Sequence, residues 1–251
     1  MKYRGYNYLF VFSKECEGYN KYWTSRGNYM SNSIKYRLPE HRKYYGAEDL
    51  EELTVIECKD ELEAIYLQRA MNEIFKIWQN GGGSVIKIDM KPETFIDCLK
   101  LIHNIMNDNN KMLELFNLVV SKFKHNKCNG QVYFVKCANN KLKIGETGDM
   151  SFRWEGLKKE EQNQAKDVIK VISVDDCKLV EAELQLLCRN YKTDGNKVRR
   201  DNNASKNLSE LFIDCEEVIN IWNNYWESYK GFKLEKSERY LNYLRTGKWD
   251  E

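Results

Sequence analysis

The residues from Gly130 to Trp154, GQVYFVKCANNKLKIGETGDMSFRW, constrain the fold of this chain more tightly than any other stretch. Val132-Tyr133-Phe134-Val135 is a short apolar run that favours extended backbone, and Leu142-Lys143-Ile144 is a second. Between them Asn139-Asn140 supplies residues that tolerate left-handed turn conformations, so the stretch predicts a β-hairpin. The second strand ends on Gly145, and Arg153-Trp154 lie where the chain is ready to enter a helix. Tyr133 and Lys143 then stand on neighbouring antiparallel strands, with an arginine close by and a glycine that permits close approach to the backbone. Cations gathered around a phenol suit a site that handles phosphate.

The flanking sequence is α/β in character throughout. In the N-terminal half, Tyr8 to Phe12 predicts a buried strand, Ser33 to Leu38 a short helix, and Leu53 to Cys58 a second strand. Leu62, Tyr66, Ala70, Ile74 and Trp78 recur at helical spacing and predict a helix from Asp60 that Gly81-Gly82-Gly83 breaks. Val85 to Ile88 predicts a strand, and Pro92 opens a helix to about Met106. Lys111 to Lys124 is amphipathic. In the C-terminal half, strands are expected over Asp167–Ile172 and Leu208–Ile213, with helices over Asp175–Tyr191 and Cys215–Tyr229.

The halves match in kind and order. Val55-Ile56-Glu57 corresponds to Val171-Ile172-Ser173, the helix at Asp60 to that at Asp176, and Ser84–Asp89 to Ser209–Asp214 with one slip allowed. A tandem duplication follows: an α/β (α+β) chain of two small units, each a short, mainly antiparallel sheet flanked by helices. The expected organisation is a first domain over 1–107, a connecting helix over 108–128, a second domain over 129–230, and a charged, aromatic tail over 231–251 that packs on either half or binds a protein partner.

Composition narrows the function classes. A net charge of only +2 argues against a globally basic nucleic-acid coat, though not against a local patch such as Lys197, Arg199 and Arg200. The eight cysteines form no Cys-x-x-Cys pair, and His41, His103 and His125 do not join them in a zinc-like spacing, so structural zinc is not expected. No signal peptide and no apolar run long enough for a bilayer are evident, which points to a reducing, intracellular setting without a membrane partner. The Lys-, Asn- and Tyr-rich, proline-poor composition is consistent with a virus of AT-rich genome.

The layout of Val132-Tyr133-Phe134, Lys143-Ile144-Gly145, Gly145-Glu146-Thr147 and Arg153 resembles the GIY-YIG nuclease superfamily, more narrowly its phage and large-DNA-virus branch. In that branch the first motif is often degenerate and the second reads Lys-Ile-Gly. The resemblance covers residues from about 130 to 220, and Glu210-Leu211-Phe212 approaches a further Glu-aromatic-Phe segment of the branch. It implies that Tyr133, Lys143, Arg153 and Glu181 are catalytic, with Glu181 the metal ligand. Gly145, Thr147, Trp154, Lys197, Arg199 and Arg200 would contact substrate, Trp154 by stacking on a base unless, as its apolar ring favours, it is buried in the core. Gln185 stands where many relatives carry histidine.

Phosphodiester hydrolysis needs a base to activate water, cations to offset charge on the phosphate, and a stabiliser for the leaving oxygen. A tyrosine is a poor base at its ordinary pKa of about 10. Lys143 and Arg153 beside it would favour the phenolate. Glu181 would hold one hard divalent cation, Mg²⁺ or Mn²⁺, weakly bound without substrate because a single carboxylate supplies it. The resulting expectation is a divalent-metal-dependent endonuclease acting on DNA through its C-terminal domain, in host cytoplasm, nucleus or virion. The alternative is a catalytically inactive, nuclease-derived nucleic-acid-binding or structural protein of a viral particle. The first half reads as a degenerate copy, with Ile65 at the place of Glu181, Val85 at that of Glu210, and Arg37 an echo of Arg153.

Overall fold

The structure, a computed structural model, describes residues 8–27, 39, 42–43, 51–79, 85–160, 164–193 and 211–249. The chain divides into two units, Met1–His125 and Asn126–Glu251. Mixed helices and antiparallel sheets make each unit α+β, as the sequence implies.

In the N-terminal unit, β1 (Tyr8–Cys16) and β2 (Tyr19–Gly27) form a hairpin that turns on Gly18, whose φ of 78° suits glycine. Strand β3 (Glu51–Glu57) pairs with β1 and β4 (Ile86–Ile88) with β2, giving the order β3-β1-β2-β4. Helix α1 (Glu61–Ile74) starts on Asp60, whose side chain accepts the Glu63 N–H, and ends in a 3₁₀ turn, Lys76–Trp78. Helices α2 (Pro92–Ile105) and α3 (Asn109–Lys122) follow. On one face of the sheet Tyr22 stacks on Phe95 at 3.8 Å, and Phe95 lies against Phe75. Phe10, Phe12 and Trp23 make the other face.

The structure sharpens three expectations. Tyr22-Trp23-Thr24, a polar, Tyr-rich segment in the sequence, is part of a full strand: Tyr22, Trp23, Thr24 and Ser25 are buried in succession, β1 pairs along all of β2, and β4 pairs with Asn20–Tyr22. Of the positions read for α1, Ala70 and Ile74 are buried, with Trp78 buried in the 3₁₀ turn, but Leu62 is exposed and Tyr66 half-buried, and Ala64, Leu67 and Met71 complete the buried stripe. The connecting helix, α3, expected to pack on one of the halves, packs on α1 and α2 of the first unit through Met112, Leu115, Phe116 and Val119. Ser33–Leu38 and Gly81–Gly83 lie outside the described residues.

The C-terminal unit repeats the plan. Hairpin β5 (Gly130–Cys137) and β6 (Lys141–Thr147) turns through Asn139 and Asn140, both left-handed at φ 59° and 53°, as expected of that pair. Helix α4 (Met150–Lys159) leads to β7 (Ala165–Val174), α5 (Cys177–Leu187), a 3₁₀ turn at Arg189–Tyr191, β8 (Leu211–Ile213) and α6 (Glu216–Ser228). The sheet order β8-β6-β5-β7 is that of the first unit read from the other edge. Both units carry a register shift at the same place, between Val11 and Phe12 in β1 and between Phe134 and Val135 in β5. Both also bridge the residue after the 3₁₀ turn to the last paired strand, Gln79 to Ile86 and Lys192 to Phe212. These bridges decide the slip left open in the sequence: Ile86 matches Phe212, so Val85 stands opposite Leu211 rather than Glu210.

Residues 231–249 pack on the second unit, the first of the two outcomes the sequence allows for this segment. Strand β9 (Lys233–Glu235) pairs with β7 at the sheet edge, and α7 (Glu238–Thr246) is capped by Ser237 and closed by Gly247 at φ 73°. Leu241 and Leu244 of α7 join Met150, Trp154 and Leu157 of α4 over Tyr133 and Val135. On the opposite face α5 and α6 cover Val132, Phe134 and Ile144, with Trp222 stacked on Phe134 at 4.8 Å. Arg245 ties α7 down through Asp167 at 2.7 Å and the Val168 carbonyl at 2.7 Å. A chain ending at Lys230 should therefore lose about 3 kcal/mol or more, since each buried leucine is worth roughly 1.5–3 kcal/mol. Urea unfolding of the full and shortened chains checks this, and equal midpoints would contradict it.

Candidate functional site

The C-terminal hairpin brings Tyr133 directly opposite Gly145 and Val135 opposite Lys143. Paired residues on antiparallel strands share a face, so Tyr133, Gly145 and Lys143 all look toward α4 and α7. The Tyr133 ring lies over Gly145 so closely that a Cβ there would fall 2.3 Å from its Oη and 2.4 Å from Cζ. Only a residue without a side chain fits. This is the physical reason for the glycine in Lys143-Ile144-Gly145.

Helix α4 supplies the arginine. Its start is set by Asp149, which accepts the Ser151 N–H at 2.8 Å, and by Gln131 Oε1, which accepts the Met150 N–H at 2.8 Å. Arg153 Nε then donates to Tyr133 Oη at 3.4 Å, while Nη1 donates to Glu160 Oε1 at 2.6 Å. Burial works against the Arg153 cation, but the phenol and Glu160 outweigh it and raise its pKa above the ordinary guanidinium value. The arginine side chain is 30% exposed, whereas Tyr133 is 1%, Lys143 0% and Glu181 4% exposed. The solvent-facing part of this polar set is thus its guanidinium.

Lys143 is enclosed on the Tyr133 face close to Cys137, whose thiol burial pushes up to about 11 against the opposing effect of the lysine charge. Glu181 comes from the other helix layer. It lies on α5, where Gln185 Nε2 donates to Glu181 Oε1 and to the Ile144 carbonyl, each at 3.1 Å. That double bond anchors the glutamate beside β6, between Lys143 and Gly145 in the chain. A wholly buried lysine and a nearly buried carboxylate are costly in an apolar core, so such groups are retained with partners.

The structure brings Tyr133, Gly145 and Arg153 into contact, places Lys143 one pair along, and sets Glu181 at the neighbouring strand. Thr147 serves the turn into α4, its hydroxyl donating to the Asp149 carbonyl at 3.1 Å. Trp154 is 2% exposed and faces the sheet among Tyr133, Val135 and Leu157, so its ring offers no stacking surface. Lys197, Arg199, Arg200 and Glu210 lie outside the described residues, as does Arg37. Glu160, two helical turns after Arg153, went unread in sequence, and Gln185, noted there only as standing in the place of a histidine, is the partner of Glu181 one turn away.

The shared register shows what stands at these places in the N-terminal unit. Phe10 occupies the position of Tyr133, pairing with Ser25 and Val55 as Tyr133 pairs with Gly145 and Val171. Trp23 takes the place of Lys143, and counting from the caps Asp60 and Asp176 sets Ile65 at Glu181. The phenolic oxygen, the ammonium and the carboxylate are each replaced by an apolar group.

Comparison with protein-family models, with curated proteins and with solved structures finds no match. Among the described residues no helix is long and apolar enough to cross a membrane.

The contact between Tyr133 and Gly145 generates a stability prediction. Gly145→Ala should cost about 1–3 kcal/mol by overpacking. In a Tyr133→Val background, where the ring is gone, the same change should cost less than half as much. A double-mutant cycle from urea denaturation measures that coupling, and additive effects would show that the ring and the glycine do not constrain each other.

Proposed function

We propose that the C-terminal unit is a divalent-metal-dependent endonuclease that hydrolyses phosphodiester bonds of DNA. The observation that carries this reading is the Tyr133 phenol seated on Gly145 with Arg153 on its oxygen. The same residues carry the resemblance to GIY-YIG nucleases. A guanidinium donating to the phenol favours its deprotonated form, which is the form able to take a proton from water. Lys143 and Arg153 would offset charge on the phosphate, with Arg153 the first to meet it because its side chain reaches solvent. Glu181 offers a hard carboxylate oxygen of the kind that suits Mg²⁺ or Mn²⁺, with water and phosphate oxygens completing the shell. When bound, the cation would supply Lewis-acid stabilisation of the phosphate and leaving oxygen. Eight free thiols suit a reducing, intracellular setting or a virion assembled there.

One observation favours a second reading, a nuclease-derived scaffold that binds nucleic acid or builds a viral particle without cleaving. Tyr133 and Glu181 are almost wholly enclosed, so the polar set could serve the fold alone. Cleavage of supercoiled plasmid separates the two. The nuclease reading expects nicking by wild type that requires Mg²⁺ or Mn²⁺. It should fall about a hundredfold or more in Glu181→Gln, Arg153→Ala and Tyr133→Phe. Tyr133→Phe keeps the ring over Gly145 and serves as the folding control. Wild-type protein that binds DNA but never nicks it, or nicking that survives Tyr133→Phe, would overturn the enzyme reading.

A further inference from the structure

Cys58 follows β3, Glu63 lies in the first turn of α1, and His103 lies in the last turn of α2. His103 is distant in sequence from the other two, yet each contributes one donor atom to a group whose members all lie within 4.8 Å of one another. His103 Nε2 is 3.3 Å from Glu63 Oε1. Glu63 is held in place from two sides: its own N–H donates to Asp60 Oδ1 at 2.9 Å, and the Lys59 N–H donates to its Oε2. Cys58 is buried at 3% exposure, whereas the His103 and Glu63 side chains are 26% and 28% exposed, so the cluster has a closed floor and an open mouth.

We propose that Cys58, Glu63 and His103 bind a transition-metal dication of the zinc class, with water or an incoming ligand at the fourth position. Tetrahedral zinc with bonds of about 2.0–2.3 Å sets its donors roughly 3.3–3.8 Å apart, so the observed group needs only small side-chain movements to close on an ion. One thiolate, one imidazole and one carboxylate select zinc-like metals over magnesium or calcium, which prefer oxygen throughout. Glu57 and Asp60 add negative field at the thiol, favourable to a dication. A Cys-His nucleophile is the competing reading, but burial and these carboxylates push the Cys58 thiol up to about 11, opposite to what a reactive cysteine needs. An ion pair between His103 and Glu63 would account for two of the groups and leave the placement of the cysteine unused.

The register between units sharpens the assignment. Counting from Glu57 and Ser173, Cys58 corresponds to Val174 and Glu63 to Leu179, both apolar. The site belongs to the N-terminal unit, which has lost the phenol, ammonium and carboxylate of the other. It stands apart from the nuclease reading, and its test does not involve cleavage.

Titration of the metal-free full-length chain with Co²⁺ is the experiment. One equivalent should give a thiolate-to-cobalt charge-transfer band that stoichiometric Zn²⁺ abolishes. The band should be absent in Cys58→Ser and reduced at least tenfold in affinity in His103→Ala, yet unchanged in Cys98→Ser, whose thiol lies on α2 outside the cluster. Zn²⁺ should raise the Tm of wild type but not of Cys58→Ser. Glu63→Gln, nearly isosteric, should weaken binding even if another variant fails to fold. Absence of the band in wild type, or a wild-type band in folded Cys58→Ser, would overturn the proposal.

Discussion

The contact on which the C-terminal unit depends is that of an aromatic ring with a position that has no side chain. Tyr133 fills the space a Cβ would take at Gly145, so the two central strands can pair closely while a bulky phenol lies flat on them. With the ring fixed, its oxygen reaches the end of the Arg153 side chain. The arginine in turn is placed by the Asp149 cap that starts α4. Burial of Lys143 one pair along, and of Glu181 beside the same strand, completes a polar set inside an otherwise apolar three-layer unit. Removing one member of a buried polar contact leaves its partner with charge and little water, so the Tyr133–Arg153 and Gln185–Glu181 pairs are each costly to break.

The two units keep one architecture and divide its chemistry. Strand order, the register shift in the first strand, the aspartate cap before the principal helix, and the 3₁₀ turn with its bridge recur in both. These backbone features fit duplication of one small α+β element. Side chains then diverge: the aromatic trio Phe10, Phe12 and Trp23 fills the face that Tyr133, Val135 and Lys143 make in the second unit. Apolar replacement is the low-cost outcome once a polar cluster is no longer needed, because it removes desolvated charge and gains dispersion contacts.

Much of this was readable in the residues. The Asn139-Asn140 turn, the caps at Asp60 and Asp176, and the proline that opens α2 are local signals that act through a few neighbouring backbone groups. The correspondence of Val55-Ile56-Glu57 with Val171-Ile172-Ser173 holds in the strand register. Less legible were β2, whose charged and aromatic residues look like a loop until both neighbours pair with it, and α7, whose few leucines acquire meaning only against α4. The row read for α1 is buried at Ala70 and Ile74 but not at Leu62, which obeys helical spacing while staying exposed. Periodicity identifies a helix, but the neighbour it meets selects the face.

By itself the sequence determined the C-terminal hairpin, most helix starts, the matching order of the halves and the candidate residues Tyr133, Lys143, Gly145, Arg153 and Glu181, because those depend on turn chemistry, capping and short spacings. Tertiary structure alone decided that Tyr133 stacks on Gly145 and that Glu181 is held through Gln185 to the Ile144 carbonyl. It also assembled Cys58, Glu63 and His103, which no spacing links, at the meeting of a strand end and two helix ends. The reason is that a site needs donor atoms a few ångströms apart, and chain separation carries no information about that distance once the intervening residues fold back on themselves.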